Sequence, residues 1–181
     1  PEVITGPESL DAINRLFYQR GWTDGLPVVP PTPERCQAML SGQDPTEVLG
    51  IVEPRLGQAT NGKIAVNAVM AGCEPSHLPV LRAATRAMCN ARFNLKALQS
   101  TTHPCTVLVL VSGPVVEAIG VNGAYNAMGQ GSKANATIGR AVRLILTNVG
   151  GASPGVLDRA TMGSPAKYSF CFSENTEANP W

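Results

Sequence analysis

The stretch Gly129-Gln-Gly-Ser-Lys-Ala-Asn-Ala-Thr-Ile-Gly-Arg140 runs a glycine-rich loop directly into a patterned helix, and it constrains the fold more than any other segment. Ser132 is a good N-cap. Ile138, Ala141, Val142, Ile145 and Val149 recur at three-to-four spacing on one face, and Gly150-Gly151 supplies the stop. Arg140, Arg143 and Thr147 occupy the opposite face. Free backbone N–H groups and the positive end of a helix dipole meet where the loop enters the helix, which favours an anionic ligand. Gly131, Ser132 and Lys133 are therefore candidate ligand-binding residues. The alternative is that Gly129 and Gly131 only make a tight turn and Lys133 is a solvated side chain.

At 181 residues the chain is long enough for one domain with a proper core, so we expect a single compact domain over residues 1–181. Charged residues are 15% of the chain and the formal net charge is +1, a balance that argues against a nucleic-acid footprint or a polybasic membrane patch. The longest purely apolar run, Val107 to Val111, falls far short of a membrane-spanning helix. No signal-peptide pattern opens the sequence, and a cytoplasmic location is the expectation. Five scattered cysteines (Cys36, Cys73, Cys89, Cys105, Cys171) without a CxxC suit reduced thiols.

Helices and strands interleave along the chain, which predicts an α/β layer structure around one sheet. Glu8 to Arg20 reads as an amphipathic helix with Leu10, Ile13, Leu16 and Phe17 inward, and Thr32-Pro33-Glu34 opens a second helix. Between them, residues 21–33 form a Pro-rich extended arm, rigid rather than flexible. Its apolar residues Trp22, Leu26, Val28 and Val29 are expected at an interface. Val48 to Val52 reads as a strand, Lys63 to Ala71 as a short buried helix and Ser76 to Asn90 as an amphipathic helix. Leu95 to Ser100 and Cys105 to Ser112 read as strands, the latter central in the sheet. Alternation of Tyr168, Phe170 and Phe172 with Ser169, Cys171 and Ser173 predicts a final half-buried strand.

Several residues are candidates for chemistry. Lys63 and Asn67 share a face of the buried helix, where a cation and an amide cost stability unless a substrate carboxylate or a local backbone partner meets them. Cys73 is a candidate nucleophile if His103, displayed on the Thr101-Thr102-His103-Pro104-Cys105 turn, comes within reach as its base. Cys73, His77, His103 and Cys105 also match zinc ligand chemistry, but their spacings are unlike the usual zinc knuckles, so we assign no metal and no cofactor. Asp24 and Glu174 are the carboxylates available to orient His103 or to act as acid or base. An Asp-Gly pair such as Asp24-Gly25 also commonly caps a turn.

Gly21-Trp-Thr-Asp-Gly-Leu-Pro-Val-Val-Pro-Pro-Thr32, Lys63-Ile-Ala-Val-Asn-Ala-Val-Met-Ala-Gly-Cys73, Thr101-Thr-His-Pro104, Ala134-Asn-Ala-Thr-Ile-Gly-Arg140 and Lys167-Tyr-Ser-Phe-Cys171 together resemble a bacterial family associated with UGSC-type (seleno)proteins. The family's own (Sec/Cys)-Gly-Ser-Cys motif is missing from this chain, so the resemblance implies the companion type of protein, or one half of a two-part enzyme. That motif is similar to the redox site of selenoprotein reductases that cleave carbon–nitrogen bonds, an analogy only. On matched positions the resemblance implicates Asp24, Lys63, Asn67, Cys73, His103 and Asn135. The expected function is thus a cytoplasmic enzyme subunit acting on a small, carboxylate-bearing substrate by thiol or acid–base assisted bond cleavage. Its expected partners are that anionic substrate and either a UGSC-type subunit or further copies of itself. A non-catalytic subunit that completes a partner's site is the alternative.

Overall fold

Four hydroxyl side chains fix where the principal helices begin. In the computed structural model, which describes residues 9–180, Ser9, Thr32, Thr60 and Ser132 each accept the backbone N–H three residues on. In chain order the elements are α1 (Leu10–Gln19), α2 (Pro33–Leu40), β1 (Val48–Val52), β2 (Gly57–Thr60), α3 (Asn61–Ala71), α4 (Leu78–Met88), α5 (Leu95–Gln99), β3 (Val109–Val111), α6 (Val115–Ile119), α7 (Lys133–Asn148) and β4 (Cys171–Ser173). Glu8, the expected first residue of the opening helix, lies outside the described residues.

The class is α/β, with helices dominating. The core forms where α7 lies against α3 and α4. Ile138, Ala141, Leu144 and Ile145 of α7, Ile64, Ala65 and Ala68 of α3, and Leu78 and Leu81 of α4 are buried there. Each large aliphatic side chain taken from water contributes about 1.5–3 kcal/mol, so this contact is the main source of stability. At Gly139 a Cβ would collide with the Ser169 hydroxyl and the Phe170 backbone, so glycine lets the chain entering β4 lie directly on α7.

One sheet was expected, and the described residues form two separate two-stranded ones. β1 and β2 pair antiparallel, with Val52 opposite Gly57, and β3 and β4 pair parallel, with Val109 opposite Cys171. The expected central strand over Cys105 to Ser112 is therefore a three-residue strand with one strand neighbour, and Leu110 on it and Leu108 just before it are 55% and 42% exposed. The expected strand over Leu95 to Ser100 is the short helix α5. Leu95 and Gln99, four apart, are the buried positions, and Glu53 takes the Lys96 N–H at 2.9 Å, so burial there follows the helical period. In β4 it is Cys171 and Ser173 that point into the core, while Phe170 and Phe172 stay half-buried. Leu10, expected inward, is 57% exposed.

The Pro-rich arm is rigid because it is fastened at several points. The Arg140 guanidinium grips the Asp24 carboxylate with two bonds of 2.7 and 2.9 Å and also donates to the Pro27 carbonyl at 2.8 Å. Asn148 holds the Trp22 carbonyl at 3.0 Å, and Asn14 accepts the Val28 N–H at 2.6 Å. Val28 thereby enters this chain's own core instead of an intermolecular interface, while Leu26 and Val29 remain exposed. The Asp24 side chain is only 5% exposed, so Asp24→Ala strands a guanidinium in a largely dry site. We expect a loss of about 3 kcal/mol in urea unfolding; a change below about 0.5 kcal/mol would show that the clamp does not hold the arm.

Candidate functional site

The first turn of α7 opens onto a cavity of about 550 Å3 whose lining includes Glu74, His77, Asn122, Tyr125, Gly131 and Lys133. Local chemistry builds it. Gly131 has φ +117°, a conformation that a side chain resists, and it turns the loop into the helix start. The Ser132 hydroxyl accepts the Asn135 N–H. The N–H groups of Gly131, Ser132, Lys133 and Ala134 meet no acceptor among the described residues, and all four residues line the cavity. Those of Ser132, Lys133 and Ala134 are donors that a helix start leaves unsatisfied, and Gly131 adds one from the loop, all at a concave surface.

Asn135 holds the opposite wall. Its side chain is 3% exposed; Oδ1 accepts the Asn122 N–H and the Ser132 hydroxyl, each at 2.8 Å, and Nδ2 donates to the carbonyls of Asn122 and Ala127 at 2.9 and 3.0 Å. Every polar atom of that amide is spent on Ser132 and the loop over 122–127. Asn135 therefore shapes the cavity without offering a group to a ligand.

On the remaining side, Glu74-Pro75-Ser76-His77 leads into α4. His77 is 2% exposed; its Nδ1 accepts the Glu74 N–H at 3.3 Å and lies 3.4 Å from the Thr137 hydroxyl. Burial lowers the imidazole's pKa, Glu74 opposes that shift, and Lys133 adds to it, so the ring is neutral at physiological pH. Lys133 reaches Glu74 at 2.6 Å across the mouth, and this hydrogen bond and charge hold the Glu74 carboxyl below its ordinary value.

The structure brings together Gly131, Ser132, Lys133 and Asn135 but disperses the other expected site residues. Lys63 donates to the Gln58 carbonyl at 3.0 Å. Asn67 is buried and fully engaged, donating to the Lys63 carbonyl at 2.9 Å and accepting from Asn148 at 2.7 Å. Both are held by protein partners, the local alternative to a substrate carboxylate. Asp24 belongs to the Arg140 clamp and also caps the turn at Leu26. Glu174 accepts from Asn179 and lines a second cavity beside Leu110, Met128 and Phe172.

Cys73 and His103 do not meet. The Cys73 thiol donates to the Thr137 carbonyl at 3.3 Å, and burial pushes its pKa up to about 12 against the weaker pull of that bond, Lys133 and Arg140. His103 stands exposed on a turn packed against 159–161 through the carbonyls of Thr101 and Thr102. Among the described residues no hydrogen bond or electrostatic contact joins the two, so the geometry offers no cysteine–histidine dyad. Nor does any group of three or more His, Cys, Asp or Glu gather at metal-binding distances among those residues, and the zinc set of Cys73, His77, His103 and Cys105 is not assembled.

At neutral pH the thiolate fraction of such a buried cysteine is on the order of 10⁻⁵. Cys73 and Cys171, whose pKa burial also raises to about 12, should resist iodoacetamide in the folded protein and react once it is unfolded, as read by peptide mass mapping. Because both groups favour their neutral form when folded, they stabilise the protein fully below pH 9.0, and that stabilisation is lost as pH rises towards 12. Rapid alkylation of native Cys73 would restore it as a nucleophile. No family model, no curated protein and no solved structure matches this chain.

Proposed function

We propose that this chain is a subunit of an enzyme that binds a small, polar, carboxylate-bearing molecule in the cavity at the start of α7 and assists bond cleavage by acid–base chemistry. The observation that carries this reading is the set of four N–H donors, from Gly131 to Ala134, opening on one concave surface beside Lys133. A carboxylate there satisfies donors that otherwise see only water, and it gains from the dipole of a 16-residue helix. Glu74 and His77 are titratable groups on the side of the cavity that leads into α4. The cysteine part of the expected mechanism has no geometric support and is left out of the proposal. A cytoplasmic location, expected from the sequence pattern, and a UGSC-type companion, expected from the resemblance, belong to the same proposal; among the described residues no helix is long and apolar enough to cross a membrane.

A second reading, a binding subunit that completes a partner's site, is favoured by one observation. Tyr125 lines the cavity at 97% exposure, so a bare aromatic side chain stands at its rim. Under that reading the isolated chain binds the ligand but turns nothing over until the companion is added.

Titration with acetate and malonate, followed by ¹H–¹⁵N NMR, should shift the amides of Gly131 to Ala134 ahead of all others. Lys133→Glu reverses the charge at the mouth and should weaken binding at least about tenfold, roughly 1.4 kcal/mol. Its effect on thermal stability should be small, because the Lys133–Glu74 pair is exposed on both sides. Unmoved amides at saturating carboxylate would overturn the proposal.

A further inference from the structure

His77 is a buried polar group that the anion site alone does not use. It is 2% exposed, it lines the cavity, and its Nδ1 is committed to the Glu74 N–H. An imidazole that accepts at Nδ1 carries its proton on Nε2, and that N–H has no partner among the described residues. That N–H is not sealed from solvent, so on the cavity wall it is open to a ligand oxygen. Its place along α7 is also defined. The Thr137 hydroxyl beside the His77 ring donates to the Lys133 carbonyl, so the ring sits one helical turn, about 5 Å, beyond the N–H groups that open the helix.

Resting on the proposed carboxylate site, we propose that the ligand is a small 2-hydroxy- or 2-oxo-carboxylate. Its carboxylate lies on the N–H groups of Gly131 to Ala134, and its C2 oxygen accepts the Nε2–H of His77. A neutral imidazole beside a helix start is suited to this task, because it donates to a carbonyl or hydroxyl oxygen without the charge that would tie it to the carboxylate itself. The Glu74 N–H holds the ring in this tautomer, and burial keeps it neutral. Glu74 and Lys133, paired across the mouth, are the charged groups that face it. A site that bonds that oxygen favours the ligand carrying it over an analogue that lacks it by the worth of one hydrogen bond, about 1 kcal/mol or somewhat more.

The test compares acetate with glycolate, which differ by the C2 hydroxyl. Glycolate should bind about tenfold more tightly in calorimetry. Uniform ¹⁵N-histidine labelling gives only two imidazoles to assign, and the His77 Nε2 resonance should move with glycolate but not with acetate. His77→Phe should bring glycolate binding down to the acetate level while leaving acetate binding in place. His77→Gln, whose amide can occupy the Nε2 position, should recover part of the difference, and circular dichroism checks that both variants fold. If acetate and glycolate bind equally and the His77 resonance stays still, the inference fails while the carboxylate site stands. If neither ligand binds the unaltered protein, the carboxylate site fails and this inference falls with it.

Discussion

Desolvation of α7 against α3 and α4 is the constraint on which the other features depend, because Ile138, Ala141, Leu144 and Ile145 of α7 are fully buried together with Ile64 and Ala68 of α3 and Leu81 of α4. With the helix fixed, each polar side chain it sends outward becomes an anchor. Arg140 takes the arm at Asp24, Asn148 takes the Trp22 carbonyl, Arg143 takes the Lys167 carbonyl, and Asn135 takes the loop over 122–127. Two sheets of two strands each could not organise such loops unaided. One helix therefore does so.

That arrangement explains how the cavity stays open. The loop wall is held by an amide with no bonding capacity left over, and the helix wall presents donors that the chain does not consume. Pre-organisation of this kind lowers the ordering cost of binding a small ligand. The thiol at Cys73 lies one layer behind, bonded to the Thr137 carbonyl, and Thr137 also touches His77. Cys73 thus supports the helix face that supports the site.

Where a local rule governs the structure, the sequence reads clearly. Ser132 and Thr32 announce helix starts because capping is a short-range bond, and the stripe from Ile138 to Ile145 announces burial because its period is helical. The extended arm follows from its prolines. Errors arise where tertiary context decides. Leu95 to Gln99 is too short for its period to separate helix from strand, and a bond from Glu53, more than forty residues away in sequence, helps to settle it. The run from Val107 to Val111 resembles a central strand, yet nothing in it tells how many neighbours will pair with it. The site was legible in part: Gly131 to Lys133 follow from the loop–helix motif, whereas Asn67 and Asn135 prove to be structural because their partners, Asn148 and Asn122, are distant in sequence or on another loop. Glu74 and His77 were missed as cavity residues. The available signal was Glu74-Pro75-Ser76-His77 just ahead of α4, but its closeness to the start of α7 is set only by the packing of α4 on α7.

What meets the first turn of α7 decides whether the cavity is a carboxylate site. A crystal structure of the protein grown in the presence of glycolate tests it most directly. The account predicts carboxylate oxygens at about 2.7–3.2 Å from the N–H groups of residues 131–134. A helix start whose four N–H groups are closed by the protein's own carbonyls or side chains, with no ligand density beside Lys133 and His77, would contradict it.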